Sequence, residues 1–119
     1  MDGDVHSFLN DFILNEWRVN NAFRKETGLH RTHLEILSFA YSVISFNPCN
    51  VQQQFVEMNI QQVRLGIRKL VSIGAVEMWC AGTRNRPATY VINNKGRQLL
   101  NDYAQLWPLV KVMQDAWAL

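Results

Sequence analysis

Two short stretches carry the side chains best suited to gripping another molecule. Between Asn59 and Ile73, the amides of Gln61 and Gln62 are followed by Arg64, Arg68 and Lys69. Between Gly82 and Pro87, the run Gly82-Thr83-Arg84-Asn85-Arg86-Pro87 sets two guanidiniums and an amide on a loop with no carboxylate to neutralise them. A primary amide presents a donor beside an acceptor and pairs with a planar edge offering the complement, whereas a guanidinium holds anionic oxygen in a fork of N–H donors. Together these groups suit a phosphate-bearing polymer whose edges can be read.

The residue types needed for other chemistry are present but not arranged for it. No Gly-rich phosphate loop, nucleophile elbow or paired His/carboxylate occurs at a diagnostic spacing, so an enzyme is not expected. His30 and His33 lie three apart and His6 stands alone; no cysteine or carboxylate completes a set with them, and no metal or other cofactor is expected. Cys49 lies beside an expected helix start, where the dipole favours a thiolate, but a lone thiol is a weak sign of redox sensing. Cys80, at the end of an expected strand, reads as a small packing residue.

In 119 residues, 48% are hydrophobic and 18% charged, enough apolar side chains for one folded domain spanning 1–119. The longest apolar-looking stretch, Ile36 to Phe46, is about eleven residues against the roughly 20 needed to span a bilayer, so no membrane association is expected. Met1-Asp2-Gly3-Asp4 is acidic and lacks the basic and apolar regions of a leader, and two cysteines make no disulfide framework; a reduced, cytoplasmic chain is expected. The net charge of +2 hides a strong asymmetry. Residues 1–58 carry four Lys/Arg against seven Asp/Glu, whereas 59–97 carry seven against Glu77 alone. The basic side chains therefore gather in the same stretch as the amides.

Periodicity supplies the elements that must position them. Val5, Phe8, Leu9, Phe12 and Ile13 recur at helical spacing, with Asp4 suited to capping the start and Gly28 to ending the helix. A second helix is expected from Thr32, with Glu35 completing a capping box, to about Phe46; apolar residues nearly surround it, so it should be the central buried helix. Pro48 then breaks the chain. Asn50 should cap a short helix to Glu57 with Val51, Phe55 and Val56 inward, and Asn59 a longer one, Ile60 to Ile73, with Ile60, Val63, Ile67, Leu70 and Val71 on one face. Gly74 suits the left-handed residue that ends it. The period then changes to two: Val76 to Cys80 and Ala88 to Ile92 read as a hairpin with a basic tip. Asn93 or Asn94 should open a helix through Leu99, Leu100, Tyr103 and Leu106, and Pro108 a last one ending near Trp117.

Short helix, tight turn, amphipathic helix and basic hairpin are the parts of a winged helix-turn-helix. The fold class expected is mainly α with a small β-hairpin wing, flanked by N- and C-terminal helices. On the helix after the turn, Gln61, Gln62, Arg64, Leu65, Arg68 and Lys69 fall outward; glutamine pairs with adenine through two bonds, while the basic residues serve base edges or phosphate equally well. Arg84, Asn85 and Arg86 on the hairpin tip suit a minor groove or phosphate. Gly66, costing about 1 kcal/mol against alanine within a helix, implies close approach either of a neighbouring backbone or of DNA.

The run Asn59 to Val76, with Val63, Ile67, Leu70, Gly74 and Val76 in phase, followed by Arg86 and then Val91-Ile92-Asn93-Asn94-Lys95-Gly96-Arg97, resembles the MarR family of winged-helix transcriptional regulators, and the length fits its smaller, SarA-like members. By this resemblance Arg86 takes the place of the family's wing arginine. The family's usual aspartate two residues earlier is replaced by Arg84, and the customary threonine that opens the next helix by Asn93. The resemblance implies a homodimer held by helices at 5–27 and 95–119 around a DNA-binding core at 32–92. Phe8, Phe12, Trp17, Leu106, Trp107, Leu109, Val110, Met113 and Trp117 supply the apolar surface such a dimer needs. It further implies a repressor of double-stranded DNA acting on a near-palindromic site, and a small aromatic effector in a space that Trp17, Phe39 and Tyr41 would line. A rival reading from a different class is a winged-helix protein-interaction module, such as an anti-repressor or assembly subunit, that does not bind DNA.

Overall fold

The computed structural model describes residues 2–108, in two compact units. Residues 109–119, and with them Leu109, Val110, Met113 and Trp117 of the expected last helix, lie outside the described residues. One unit comprises the chain up to His30 together with the segment from Asn101 onward; the other runs from Arg31 to Leu100. The elements in chain order are α1 (Asp2–Thr27), α2 (Arg31–Ser42), α3 (Pro48–Gln54), α4 (Ile60–Ser72), β1 (Val76–Cys80), β2 (Thr89–Ile92) and α5 (Asn94–Gln105).

In the terminal unit α1 is one uninterrupted helix ended by Gly28, whose N–H donates to Arg24 O at 2.8 Å. Its C-terminal part carries the buried residues. Val19 and Phe23 are buried, and the Phe23 ring meets Tyr103 edge-on with centroids 5.3 Å apart. The Tyr103 hydroxyl donates to Asn20 Oδ1, and Trp107 packs its ring against Phe12 at 5.7 Å. Towards the N-terminus Val5, Phe8, Leu9, Ile13 and Trp17 are exposed, an apolar stripe at helical spacing along α1.

In the core unit α2 packs on α4, α3 on α4, and the hairpin on α2 and α4. Leu34, Ile36, Leu37, Ala40, Val51, Val63, Ile67, Leu70, Ala75 and Val76 form its interior. β1 and β2 pair antiparallel, Val76 opposite Ile92 and Met78 opposite Tyr90, with a bulge before Cys80 opposite Thr89. The expected winged helix-turn-helix is present as a two-stranded sheet against three helices.

Several local expectations need correction. α2 begins at Arg31, so Thr32 lies inside it, and Glu35 accepts a hydrogen bond from Arg31 Nε at 3.1 Å rather than closing a box with Thr32. It ends at Ser42, not Phe46, because Phe46 is drawn into the sheet: its N–H donates to Tyr90 O at 3.0 Å and Tyr90 N–H donates back at 2.8 Å. Asn47, preceding a proline, is held extended, where helix is disfavoured. Pro48 consequently starts α3 as its first residue instead of merely breaking the chain. The cap is Asn47, not Asn50; Asn50 is its partner three residues on, each side chain accepting the other's backbone N–H, at 2.9 and 3.0 Å. α3 stops at Gln54, which leaves Val56 83% exposed rather than inward. Cys80 is exposed, since beyond Val76 β1 extends off the core and no face of it is covered. β2 starts at Thr89, one residue later than expected.

Candidate nucleic-acid interface

α4 separates its residues cleanly. Val63, Gly66, Ile67 and Leu70 are buried, and Gln61, Gln62, Arg64, Leu65, Arg68 and Lys69 are all exposed. The helix contains no Asp or Glu, so nothing along it offsets the three cations. Its start is fastened twice: Gln62 N–H donates to Asn59 Oδ1 at 2.8 Å and Asn59 N–H donates to Gln62 Oε1 at 3.0 Å. The carbonyl oxygen of Gln62 is thereby turned to the cap, while neighbouring Gln61 is exposed.

The buried side of α4 settles the close approach implied by Gly66. The glycine lies against α2, where an added Cβ would meet Ile36 Cδ1 at 2.5 Å; the partner is a core side chain, neither a backbone nor an outside ligand. At the far end, Gly74 at φ +79° turns the chain into β1, and its carbonyl accepts from Asn93 Nδ2. The same asparagine caps α5, accepting Gly96 N–H at 3.0 Å. Asn93 thus ties the end of the amphipathic helix to the strand that leaves the wing.

The wing tip is a closed turn. Thr83 N–H donates to Arg86 O at 2.8 Å, and Arg86 N–H donates to Thr83 Oγ1 at 3.1 Å. Arg84 and Asn85 occupy the two central positions, and Arg84, Asn85 and Arg86 are all exposed. Between α4 and the hairpin lies an open groove of about 470 Å³. Arg64 and Arg68 line one wall, and Met78, Pro87 and Tyr90 the other, with Pro48 at the start of α3. Two of the sequence-designated residues are thus brought to one groove with the wing. Pro48 and Tyr90 were missed: neither carries a charge or a motif, and only the pairing of Phe46 with Tyr90 brings them to this place.

The remaining candidates are placed as follows. Phe39 stacks edge-on against Phe46 and Phe55, whereas Tyr41 is exposed with the Arg97 guanidinium 5.5 Å from its ring centre. Phe8 and Trp17 are exposed on α1, and Leu106 and Trp107 are half-buried. Among the described residues there is no group of three or more His, Cys, Asp or Glu able to hold a metal, and no helix long and apolar enough to cross a membrane.

No protein-family model matches the sequence, and no curated protein is detectably similar to it. The fold is shared with solved structures. The YusO protein of Bacillus subtilis superposes with a TM-score of 0.73 at 13% identity, over 98% of this chain and 79% of that one. The multiple antibiotic-resistance repressor (MarR) of Listeria monocytogenes gives 0.63 at 16% identity, over 99% and 82%. A mutant MarR of E. coli, solved in complex with operator DNA, gives 0.63 at 14% identity, over 87% and 71%. The chain therefore has the winged-helix fold of the MarR regulators.

Proposed function

We propose that this protein is a sequence-specific double-stranded DNA-binding transcriptional regulator, a repressor acting as a homodimer on a near-palindromic site. The observation that carries the reading is the carboxylate-free, exposed face of α4 beside the basic wing, on a fold that a MarR mutant uses in complex with operator DNA. In it Gln61, Gln62, Arg64 and Arg68 approach the major groove, Gln62 with its free Nε2 amide only, and Lys69, Arg84, Asn85 and Arg86 hold phosphate or enter the minor groove. Residues 32–92 form the DNA-binding core. The segments 5–27 and 95–119 form the dimer contact, to which Phe8 and Trp17 bring exposed apolar surface. A two-fold dimer sets two copies of α4 about one DNA turn apart. Tyr41 is an exposed ring available to a small aromatic effector.

The test is fluorescence anisotropy of the purified protein on DNA upstream of its own gene, against a scrambled duplex, across a salt series. A dimer neutralising roughly six to eight phosphates gives a log–log slope of about −5 to −7. A steep slope with at least about a hundredfold preference for the upstream duplex supports an operator-binding regulator. Absence of binding at low salt overturns the reading and favours a protein partner.

A further inference from the structure

The outward face of α4 contains a residue that neither phosphate binding nor amide pairing with a base explains. Leu65 is 59% exposed, and its neighbours one turn away on either side, Gln61, Gln62, Arg68 and Lys69, are all polar and exposed. It is an apolar side chain standing alone in the middle of a cationic face. Resting on the DNA-binding reading above, we infer that Leu65 is a specificity-determining residue that packs on the C5-methyl group of a thymine in the major groove.

Three observations converge on that contact. First, the thymine methyl is the one apolar group on a base edge in the major groove, and an uncharged, flexible aliphatic chain is its complement. Second, Leu65 sits four residues after Gln61, and side chains so spaced stand together on a helix, about 6 Å apart. With bases about 3.4 Å apart along a strand, the pair addresses positions within about two steps of each other. Third, the Gln62 carbonyl oxygen is fixed towards Asn59 N–H, so Gln61 is the amide better placed for two-bond pairing with adenine N6 and N7. Gln61 on an adenine and Leu65 on a nearby thymine together specify a half-site containing a short A/T element, framed by the phosphate contacts of Arg64 and Arg68.

The experiment selects duplexes from a randomised pool with the wild-type protein, then replaces each conserved thymine by deoxyuridine, which removes only the methyl group. Affinities of the wild type and of Leu65→Ala are measured on every duplex at one salt concentration. The expected result is one thymine in each half-site whose replacement weakens wild-type binding about fourfold, the worth of one buried methyl-sized group. Leu65→Ala should bind the thymine duplex less tightly and lose the distinction between thymine and uracil there. The inference is overturned if selected duplexes bind tightly yet no uracil replacement matters, or if Leu65→Ala keeps the full methyl dependence; in both cases the DNA-binding reading stands. A pool that yields no enriched sequence and no salt-dependent binding overturns both. Because Leu65 is exposed and alanine is the better helix former, the variant keeps the fold on which the comparison depends.

Discussion

Gly66 of α4 faces Ile36 of α2 so closely that a methyl group added to the glycine would lie 2.5 Å from Ile36 Cδ1. Alanine would gain about 1 kcal/mol in helix propensity at this position. Ile36 is fully buried, however, and has little room to yield, and overpacking a core costs about 1–3 kcal/mol. Gly66→Ala should therefore destabilise the protein by about 1 kcal/mol. Ile36→Val removes the offending Cδ1, so the double variant should be more stable than the two single effects summed. Urea unfolding of the four proteins checks this, and a more stable Gly66→Ala single variant would show that α2 gives way.

The reciprocal cap of Asn59 and Gln62 aligns the first turn of α4. Asn59→Ala should cost about 1 kcal/mol of stability. Gln62→Ala, which leaves the Asn59 side chain in place, should cost less. Both are read from the shift in unfolding midpoint; equal effects would mean that the two halves of the cap act only together.

The wing and the amphipathic helix should fail differently. Arg86→Ala removes a cation from a turn that Thr83 keeps closed, so it should weaken binding to all duplexes alike and flatten the salt slope by about one per wing. Gln61→Ala should cost about 1–3 kcal/mol on the selected site and little on unrelated DNA. Salt titrations on both kinds of duplex separate these outcomes, and a sequence-selective loss from Arg86→Ala would move the wing from phosphate to base reading.

Trp17 and Phe8 stand 66% and 69% exposed on α1, whereas Phe12 is already in contact with Trp107 of its own chain. Trp17→Glu should therefore shift a dimer towards monomers without unfolding α1, and lower DNA affinity because two half-sites are no longer held together. Light scattering after size exclusion reads the mass. A variant that remains dimeric would place the contact elsewhere.

Much of this was legible in advance because it depends on residues a few positions apart. The outward set of α4 follows from a 3.6-residue period, the Asn59 cap from one asparagine before an apolar run, and the ends at Gly28 and Gly74 from residues that tolerate positive φ, observed at +73° and +79°. The hairpin and its basic tip follow from a change of period and a cluster of turn residues. Two of the errors share one cause. Phe46 reads as the last turn of a helix and Asn50 as a cap because their local neighbours permit it; a partner far along the chain, Tyr90, claims the backbone of Phe46, and Pro48 then sets the start of α3.

The sequence by itself therefore determined the order of the elements, which face of α4 is apolar, and where the positive charge collects. Only the tertiary structure decided that Gly66 answers to Ile36, that Gln62 spends its carbonyl on the cap while Gln61 and Leu65 stay free on the outer face, and that Arg64 and Arg68 share a groove with Pro48 and Tyr90. The physical reason is range. Helical period, capping and turn formation act over four or five residues and are written in the local sequence, whereas packing and sheet pairing join residues dozens of positions apart, whose fit depends on how the whole core closes.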